Sequence, residues 1–335
     1  MPICRLGIIG VGAMARYHIE RILTQTDTTR ITALCEPNPE HYRAALKLFE
    51  AAGQPAPPNE PDFKRFLRKY ADQIDAAFVI TPHAHHYAQV KALLEAGKDV
   101  LVEKPMTVTA AQAKKLIELR DRTGRLLAVA FNASMSPAME HARRLLREGA
   151  LGRILGIHVA VWQNWAQFTR GTWRQAPKVS GGGFMFDTGA HLLNLVADVL
   201  GEPVHEVAAF MDNQGYPVDI LTAAIARSRS GVLVTLHGCG AAPVTDSDMK
   251  IWCERGVLEM GVWGGALHVQ WAGEPAPRVV DLPPDRGVWH TFLRVRNGEI
   301  ENPTPPEVGL RMIALWEALK KSAARGGKVV KVATP

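Results

Sequence analysis

The feature that most constrains the fold is an apolar run that breaks at two glycines and leads directly into a helix pattern. Residues 3–9 are typical of a buried strand, and Gly10, Gly12 and Ala15 form the pattern GxGxxA just before an amphipathic segment. This order predicts a parallel sheet whose first connection passes through a tight glycine turn. The amino end of such a helix favours an anion.

A second strand pattern, 31–35, follows this helix and ends on Glu36. Gly10 permits the turn and Gly12 lets the backbone approach a pyrophosphate, while Glu36 can accept hydrogen bonds from ribose hydroxyls. A carboxylate repels a 2′-phosphate, and Pro37 and Asn38 add no arginine, so NAD is favoured over NADP. A purely structural turn is the alternative. The cofactor-binding residues predicted here are Gly10, Gly12, Ala13, Met14, Ala15 and Glu36.

Composition excludes several classes of protein. A chain of 335 residues with 47% hydrophobic and 21% charged residues predicts two globular domains. The net charge of +6 is scattered along the chain, so no nucleic-acid partner is expected. We expect a cytoplasmic protein without a membrane span, because no apolar run approaches 18 residues and the four cysteines are widely spaced.

Further strands of the first region end on residues that can carry chemistry. A proline-rich segment, 53–61, interrupts the alternation and is expected to replace or weaken one strand. The strand pattern 76–80 ends at Thr81 and Pro82, and 100–102 ends at Glu103, Lys104 and Pro105. Ligands of parallel sheets bind beyond the carboxyl ends of the strands, so Lys104 is a candidate for binding a substrate hydroxyl. A salt-bridged structural lysine is the alternative.

After Asn132 the pattern changes from alternating strands and helices to mostly strands. The fold class predicted is α/β, with an N-terminal Rossmann doubly wound parallel sheet and an α+β C-terminal domain built on a large, open, mostly antiparallel sheet. The predicted domains are 1–131 and 132–335, with the last helix a candidate for packing back on the first domain. The strands predicted in the second domain are 154–162, 204–211, 218–228, 231–237, 249–253 and 256–260.

The segment 180–201 departs from this strand pattern with a glycine run that leads to Asp187 and a helix. Asp187 and His191 lie four residues apart, on one face of that helix. A carboxylate beside an imidazole raises its basicity, and such an imidazole can exchange a proton with an alcohol. The alternative is a helix cap and a structural histidine. No third ligand has a zinc spacing, and the three histidines between 83 and 86 cannot all face one ion, so no metal is expected.

Together these motifs resemble the glucose-fructose oxidoreductase, inositol dehydrogenase and rhizopine catabolism (Gfo/Idh/MocA) family. The residues that carry the resemblance are GxGxxA at 10–15, Thr81-Pro82 with His86, Glu103-Lys104-Pro105, Trp173-Arg174 and GGG…DxGxH at 181–191. They stand in the family's order at compatible separations, and the resemblance covers almost the whole chain.

The resemblance implies a nicotinamide cofactor held between the two domains, with the substrate over the second sheet. Lys104, Asp187 and His191 match the family's catalytic residues, and Lys104 is also expected to contact cofactor and substrate. Asn132, Asp187 and His191 are expected to bind substrate. The additional cofactor contacts it implies are Thr81, Pro82, His86, Glu103, Trp173 and Arg174. Many members form homodimers or homotetramers through the exposed sheet face.

Two departures from the family pattern bear on the substrate. His83 replaces an asparagine, and Ala133-Ser134 stand where many members carry basic residues, so a neutral substrate is favoured. The function predicted is hydride transfer between a secondary alcohol of a neutral sugar, polyol or cyclitol and NAD(P). The alternatives are a glycosidase or lyase that oxidises its substrate transiently, and a catalytically silent dinucleotide sensor.

Overall fold

The computed structural model describes residues 2–333 and divides the chain into two compact units. The first unit comprises the chain up to Thr107, Ala111–Ala130 and Arg286–Pro306. The second comprises Val108–Ala110, Phe131–Asp285 and the chain from Glu307 onward. The predicted domains 1–131 and 132–335 also include Met1, Thr334 and Pro335, which lie outside the described residues.

The strands are β1 (Cys4–Ile9), β2 (Thr29–Cys35), β3 (Ala76–Val79), β4 (Asp99–Glu103), β5 (Leu127–Ala130), β6 (Ile154–Trp162), β7 (Val204–Asp212), β8 (Leu221–Ser228), β9 (Leu233–Cys239), β10 (Asp246–Cys253), β11 (Gly256–Gly261), β12 (Gly264–Trp271), β13 (Arg278–Val279) and β14 (Val330–Lys331). The helices are α1 (Ala13–Ile22), α2 (Pro39–Ala51), α3 (Phe63–Tyr70), α4 (His83–Glu95), α5 (Ala110–Thr123), α6 (Pro137–Arg147), α7 (Trp165–Phe168), α8 (Pro177–Ser180), α9 (Phe184–Asp187), α10 (Gly189–Leu200), α11 (Val288–Arg296) and α12 (Pro306–Ala323).

The first unit contains a five-stranded parallel sheet in the order β2-β1-β3-β4-β5. β3 and β5 are buried along their whole length, as expected for parallel strands covered on both faces. The chain leaves β1 toward β2 and later returns to β3 on the other side of β1. The order therefore reverses beside the glycine turn, which is where ligands bind in such sheets.

The proline-rich segment, which was expected to replace or weaken a strand, forms no strand of its own. Its contact with the sheet is one isolated parallel bridge, between Leu34 and Asn59. The Leu34 N–H donates to the Pro58 carbonyl at 2.9 Å, and the Glu60 N–H donates to the Leu34 carbonyl at 3.0 Å. Prolines have no N–H to donate, so the segment cannot extend this ladder.

A late part of the chain belongs to the first unit. The Trp289 indole of α11 stacks against Phe78 of β3 with the ring centroids 6.5 Å apart, and its Nε1–H donates to the Thr29 hydroxyl at 2.8 Å. The sequence predicts such a return only for the last helix, α12, and Glu307 onward belongs to the second unit. The sequence of α11 carried no signal that separated it from the strands before it.

The second unit is built on a nine-stranded sheet in the order β13-β12-β11-β10-β6-β9-β8-β7-β14. Only β6 and β9 pair in parallel among its described strands, so the predicted mostly antiparallel sheet is confirmed. Along β8 and β9 buried and exposed residues alternate, which is the pattern of a sheet with one covered face. α10, which is buried along almost its whole length, contacts β6 and β9.

Several predicted boundaries need correction. The strands predicted at 218–228 and 231–237 run from Leu221 to Ser228 and from Leu233 to Cys239, because residues 213–220 form a turn and its exit. β12, β13 and β14 were not predicted. The helix predicted to begin at Asp187 begins at Gly189 as α10, and Asp187 is instead the last residue of a separate short helix, α9. Among residues 2–333, no helix combines the length and apolar character needed to cross a membrane.

The four cysteines are free thiols, of which Cys4, Cys35 and Cys253 are buried. Burial raises the pKa of Cys4 to about 11, of Cys35 to about 12 and of Cys253 to about 11. At pH 8 a thiol with a pKa near 11 is ionised in roughly one molecule in a thousand, and the thiolate is the nucleophile.

We therefore expect these three thiols to resist a disulfide reagent such as DTNB in the native protein and to react once guanidinium unfolds it. The measurement is the number of thiols modified at pH 8 before and after unfolding. Rapid native modification of more than one thiol would contradict the burial described here.

Candidate functional site

The predicted cofactor residues of the first unit lie at one edge of its sheet. Register pairs Ile9 of β1 with Cys35 of β2 and with Val79 of β3, while Val79 pairs with Val102 of β4. The residues that follow these strands therefore emerge side by side. They are Gly10, Glu36, Thr81 and Lys104.

The glycine turn after β1 has two differently constrained glycines. Gly10 has a φ of +86°, and a Cβ built on it would lie 2.7 Å from the Ile80 carbonyl oxygen, so only glycine fits. A Cβ on Gly12 would have no protein atom within 4 Å. Gly12 is also the N-cap of α1, which has no side-chain cap and no acidic residue in its first turn. Ala15 is fully buried and lets α1 pack closely.

Glu36 joins the end of β2 to this glycine turn. One carboxylate oxygen accepts the Val11 N–H at 2.7 Å, and the other accepts the Asn38 N–H at 2.8 Å. The residue is 6% exposed. A carboxylate has about four acceptor positions, so these two bonds leave capacity for ribose hydroxyls.

The turn that carries Lys104 is held through its neighbour Glu103. The Glu103 carboxylate lies 2.6 Å from Nε2 of His18 on α1 and accepts the Lys104 N–H at 3.1 Å. His18 and Glu103 are both buried, and a buried carboxylate needs such partners. α1 and the Lys104 turn are thus connected by a buried side-chain contact.

His86 holds the other side of the same turn. Its Nδ1 lies 2.8 Å from the Pro105 carbonyl oxygen and its Nε2 lies 2.7 Å from the Thr81 carbonyl oxygen. Burial lowers the pKa of His86, and a neutral imidazole has one N–H, so it satisfies one of the two carbonyls at a time. The ring is fully buried, so the structure places it against main chain next to Thr81 and Pro82.

In the second unit the structure brings three predicted residues together. Arg174 donates from Nε to the Asp187 carboxylate at 3.0 Å, and its guanidinium carbon lies 4.5 Å from the centroid of the Trp173 ring. The same Asp187 oxygen accepts the Trp165 Nε1–H at 2.9 Å. Asp187 is 4% exposed, so this carboxylate is a buried charge with charge-assisted hydrogen bonds.

The glycine run fixes the helix that ends at Asp187. The Asp219 carboxylate accepts the N–H groups of Gly183 at 2.7 Å and Met185 at 2.9 Å, which caps the amino end of α9. A Cβ on Gly183 would lie 2.1 Å from the Asp219 carbonyl oxygen, and one on Gly182 would lie 2.5 Å from Phe186. Burial raises the pKa of Asp219, while the hydrogen bonds from Met185 and Gly183 oppose that rise.

His191 lies in the first turn of α10, buried, with its ring edge-on to Phe131 at a centroid distance of 6.2 Å. The same helix binds the segment that follows Phe131. The Ser134 hydroxyl donates to the Asp198 carboxylate at 2.5 Å and accepts the Asn194 amide at 2.8 Å. Ala133 and Ser134 are buried, whereas Asn132 between Phe131 and Ala133 is partly exposed.

Lys104 belongs to the first unit, and Asp187 and His191 belong to the second. The sequence prediction missed His18, Asp219 and Asp198. His18 stands three residues after the GxGxxA pattern, which is a usable signal. Asp219 and Asp198 reach their partners from 36 and 64 residues away, to Gly183 and to Ser134, so no local pattern could indicate them.

The first unit has the features that a dinucleotide needs. An uncapped helix end faces open space at Gly12, and Glu36 is positioned beside the turn, so Gly10, Gly12, Ala13, Met14, Ala15 and Glu36 fit NAD. Within the described part of the chain, no cluster of three histidine, cysteine or acidic side chains has a metal-binding arrangement.

Comparison with protein families gives two adjoining matches. Residues 4–131 match the description "Oxidoreductase family, NAD-binding Rossmann fold" (GFO/IDH/MocA). Residues 139–259 match the C-terminal domain of the same family.

Two inositol 2-dehydrogenases are among the proteins whose sequences resemble this chain. An inositol 2-dehydrogenase of Corynebacterium glutamicum (strain R) is 30% identical over 173 residues, which cover 49% of this chain and 48% of that relative. The chain thus spans about half the length of that curated relative. Inositol 2-dehydrogenase 4 of Saccharopolyspora erythraea is 28% identical, covering 82% of this chain and 79% of the relative.

The solved structures that resemble this chain share its fold. A levoglucosan dehydrogenase in complex with NADH and levoglucosan has a TM-score of 0.85 at 20% identity, and the match covers 99% of this chain and 100% of the dehydrogenase chain. At this identity the likeness shows the architecture of the chain.

The two glycines of the turn after β1 make a matched pair for mutation. We expect Gly12→Ala to lose less than about 1 kcal/mol of stability, because its Cβ enters open space and only the N-cap preference for glycine over alanine is lost. It should weaken NADH binding on the order of tenfold, because that space is needed by the pyrophosphate. Gly10→Ala should instead lower the free energy of unfolding by about 1–3 kcal/mol, because alanine at a positive φ is strained.

The measurements are thermal or urea unfolding and titration of NADH fluorescence for both variants. Equal NADH affinity in the Gly12→Ala variant and the unaltered protein would contradict this assignment of the loop.

Proposed function

We propose that this chain, which belongs to the Gfo/Idh/MocA oxidoreductase family, transfers a hydride between a secondary alcohol of a neutral sugar, polyol or cyclitol and NAD. The family match confirms the predicted NAD-binding Rossmann domain. The substrate class is supported by the likeness to inositol 2-dehydrogenases. A levoglucosan dehydrogenase with the same architecture, which binds a sugar-derived substrate, also supports this substrate class.

The observation that carries the proposal is the bond between Glu36 and the glycine turn. The Val11 N–H holds a buried carboxylate beside the helix end that suits a pyrophosphate. Such a carboxylate binds the two hydroxyls of an adenosine ribose and repels a 2′-phosphate. We therefore propose NAD rather than NADP as the preferred cofactor.

The catalytic roles in this proposal are assigned to Lys104, Asp187 and His191. Bound NAD would accept the hydride from the alcohol carbon, leaving a ketone. His191 removes the hydroxyl proton as a general base, and Lys104 donates a hydrogen bond to the same oxygen and stabilises its developing negative charge. Asp187, itself held by Trp165 and Arg174, is assigned the role of orienting the His191 imidazole.

Substrate binding is assigned to the second predicted domain, 132–335. Asn132 has the partly exposed side chain of an otherwise buried segment, so its amide can hydrogen-bond a substrate hydroxyl. Ala133 and Ser134 bring no positive charge, and the Ser134 hydroxyl is already bonded to Asp198 and Asn194. This supports a neutral substrate.

The remaining cofactor contacts proposed are Thr81, Pro82, His86, Glu103, Trp173 and Arg174. Of these, His86 and Glu103 are buried, and they act by holding the turn of Lys104. Trp173 and Arg174 are partly exposed on a short 3-10 helix, where a ring and a guanidinium can cover a nicotinamide.

The proposal predicts that Lys104→Ala lowers kcat by about 10²- to 10⁴-fold, because the developing charge on the substrate oxygen loses its hydrogen-bond donor. The measurement is NADH absorbance at 340 nm with NAD and a panel of neutral sugars, polyols and cyclitols. NADH binding should persist in the variant.

Lys98→Ala is the matched control. Lys98 stands at the opposite, amino end of the same strand, where its ammonium donates to the Ile74 carbonyl at 3.2 Å. Its loss should leave turnover unchanged. If product forms without net production of NADH, the chain is instead a glycosidase or lyase that oxidises its substrate transiently. If NAD binds tightly and no substrate is turned over, a dinucleotide sensor is favoured.

We also propose a homodimer or homotetramer that forms through the open face of the nine-stranded sheet. Phe210, Ile225, Leu233 and Trp252 are each more than half exposed, between 51% and 67%. Register places them on one face, because Phe210 pairs with Ala223, Ile225 pairs with Thr235, and Leu233 and Trp252 both pair with Gly156. Exposed apolar patches of this kind mark association surfaces.

Ile225→Glu should therefore shift the protein toward a monomer, because it places a carboxylate on this face between the strands of Phe210 and Leu233. Sedimentation equilibrium of the variant and the unaltered protein measures the change. Ile3→Glu, at an exposed isoleucine of the first unit, is the control that should not change the mass. A monomeric unaltered protein would contradict the proposal.

A further inference from the structure

The proline-rich segment between α2 and α3 has no role in the function proposed so far. It is held against the sheet by the two main-chain bonds of Leu34. A third contact comes from α2, where the Tyr42 hydroxyl donates to the Pro57 carbonyl at 3.2 Å. The segment is thus fixed beside the last residues of β2.

Asn59 lies in this segment, and its side chain makes two hydrogen bonds to the main chain of Glu36. Its Oδ1 accepts the Glu36 N–H at 2.9 Å, and its Nδ2–H donates to the Glu36 carbonyl at 3.0 Å. An asparagine amide carries one acceptor and two donors, so it satisfies both main-chain groups of Glu36 at once. The strand that would otherwise pair with these groups is absent, because prolines occupy its place.

We propose that Asn59 is a positioning residue for cofactor selectivity, because it fixes the main chain of Glu36 and thereby aims the Glu36 carboxylate at the adenosine ribose. This inference deepens the proposed function and rests on its assignment of NAD. With the main chain held by Asn59, the carboxylate is directed to the N–H groups of Val11 and Asn38. Its remaining acceptor positions serve the ribose hydroxyls and its charge opposes a 2′-phosphate.

A second possible partner for the Glu36 carboxylate lies on α2. His41 on α2 has Nδ1 at 3.7 Å from the Glu36 carboxylate, and its side chain is 48% exposed. A Glu36 that is no longer fixed at its main chain can turn toward this imidazole and away from the ribose. Loss of Asn59 then weakens NAD binding and relaxes the exclusion of NADP together.

The test measures binding rather than turnover, so it does not depend on the substrate. NADH and NADPH are titrated by fluorescence into the unaltered protein and the Asn59→Ala variant. We expect the ratio of the NADPH and NADH dissociation constants to fall by on the order of two- to tenfold in the variant, the value of one or two lost hydrogen bonds. Glu36→Gln, which removes the charge, should lower the ratio at least as far.

Tyr42→Phe is the matched control, because it removes a hydrogen bond that holds the same segment and leaves Asn59 in place. Its ratio should equal that of the unaltered protein. An equal fall in Tyr42→Phe, or an unchanged ratio in Asn59→Ala, overturns the inference, even if the melting temperature falls. If Asn59→Ala does not fold, Asn59→Gln takes its place, because the same amide one methylene farther out misaligns both bonds and should also lower the ratio.

The outcome also separates this inference from the proposed function. If the unaltered protein binds neither NADH nor NADPH, the proposed function fails and the selectivity inference fails with it. If NADH binds but the ratio of the NADPH and NADH dissociation constants is unchanged in the Asn59→Ala variant, the dehydrogenase proposal stands and Asn59 has only a structural role.

Discussion

The first unit depends on the satisfaction of buried charges at the carboxyl edge of an apolar parallel sheet. Glu36 is bonded by the N–H groups of Val11 and Asn38, and Glu103 by His18 and the Lys104 N–H. A buried carboxylate without such partners would be costly or would take up a proton. These bonds therefore connect the glycine turn, the end of β2 and the Lys104 turn into one supported edge, and the proposed chemistry requires that support.

The second unit also holds a buried carboxylate, Asp187, at the end of a helix that is capped by another side chain. Asp219 binds the first N–H groups of α9, and the glycine run permits the close approach that this cap requires. Asp187 at the end of α9 is then held by Trp165 and Arg174. The proposed acid-base residues thus lie on helices whose positions are set by contacts distant in sequence, which is how a site remains preorganised.

Some glycines of this chain are required by the fold and another is better explained by a ligand. Gly10 and Gly183 are required by the space around them, since a Cβ would meet main-chain oxygen at 2.7 Å and 2.1 Å. Gly12 has no such neighbour within 4 Å, so the ligand explains it better than the fold does. A pattern such as GxGxxA combines both reasons, and only coordinates separate them.

The sequence by itself determined the parallel sheet, the glycine turn, Glu36 and the Lys104 turn, because these signals are local in the chain. It also indicated the mostly antiparallel second sheet and the loss of a strand at the proline-rich segment. Tertiary structure decided the return of α11, the caps by Asp219, and the bonds of His18, Asn59 and Asp198. These contacts join residues from 23 to 260 positions apart, and periodicity and motif spacing carry no information over such separations.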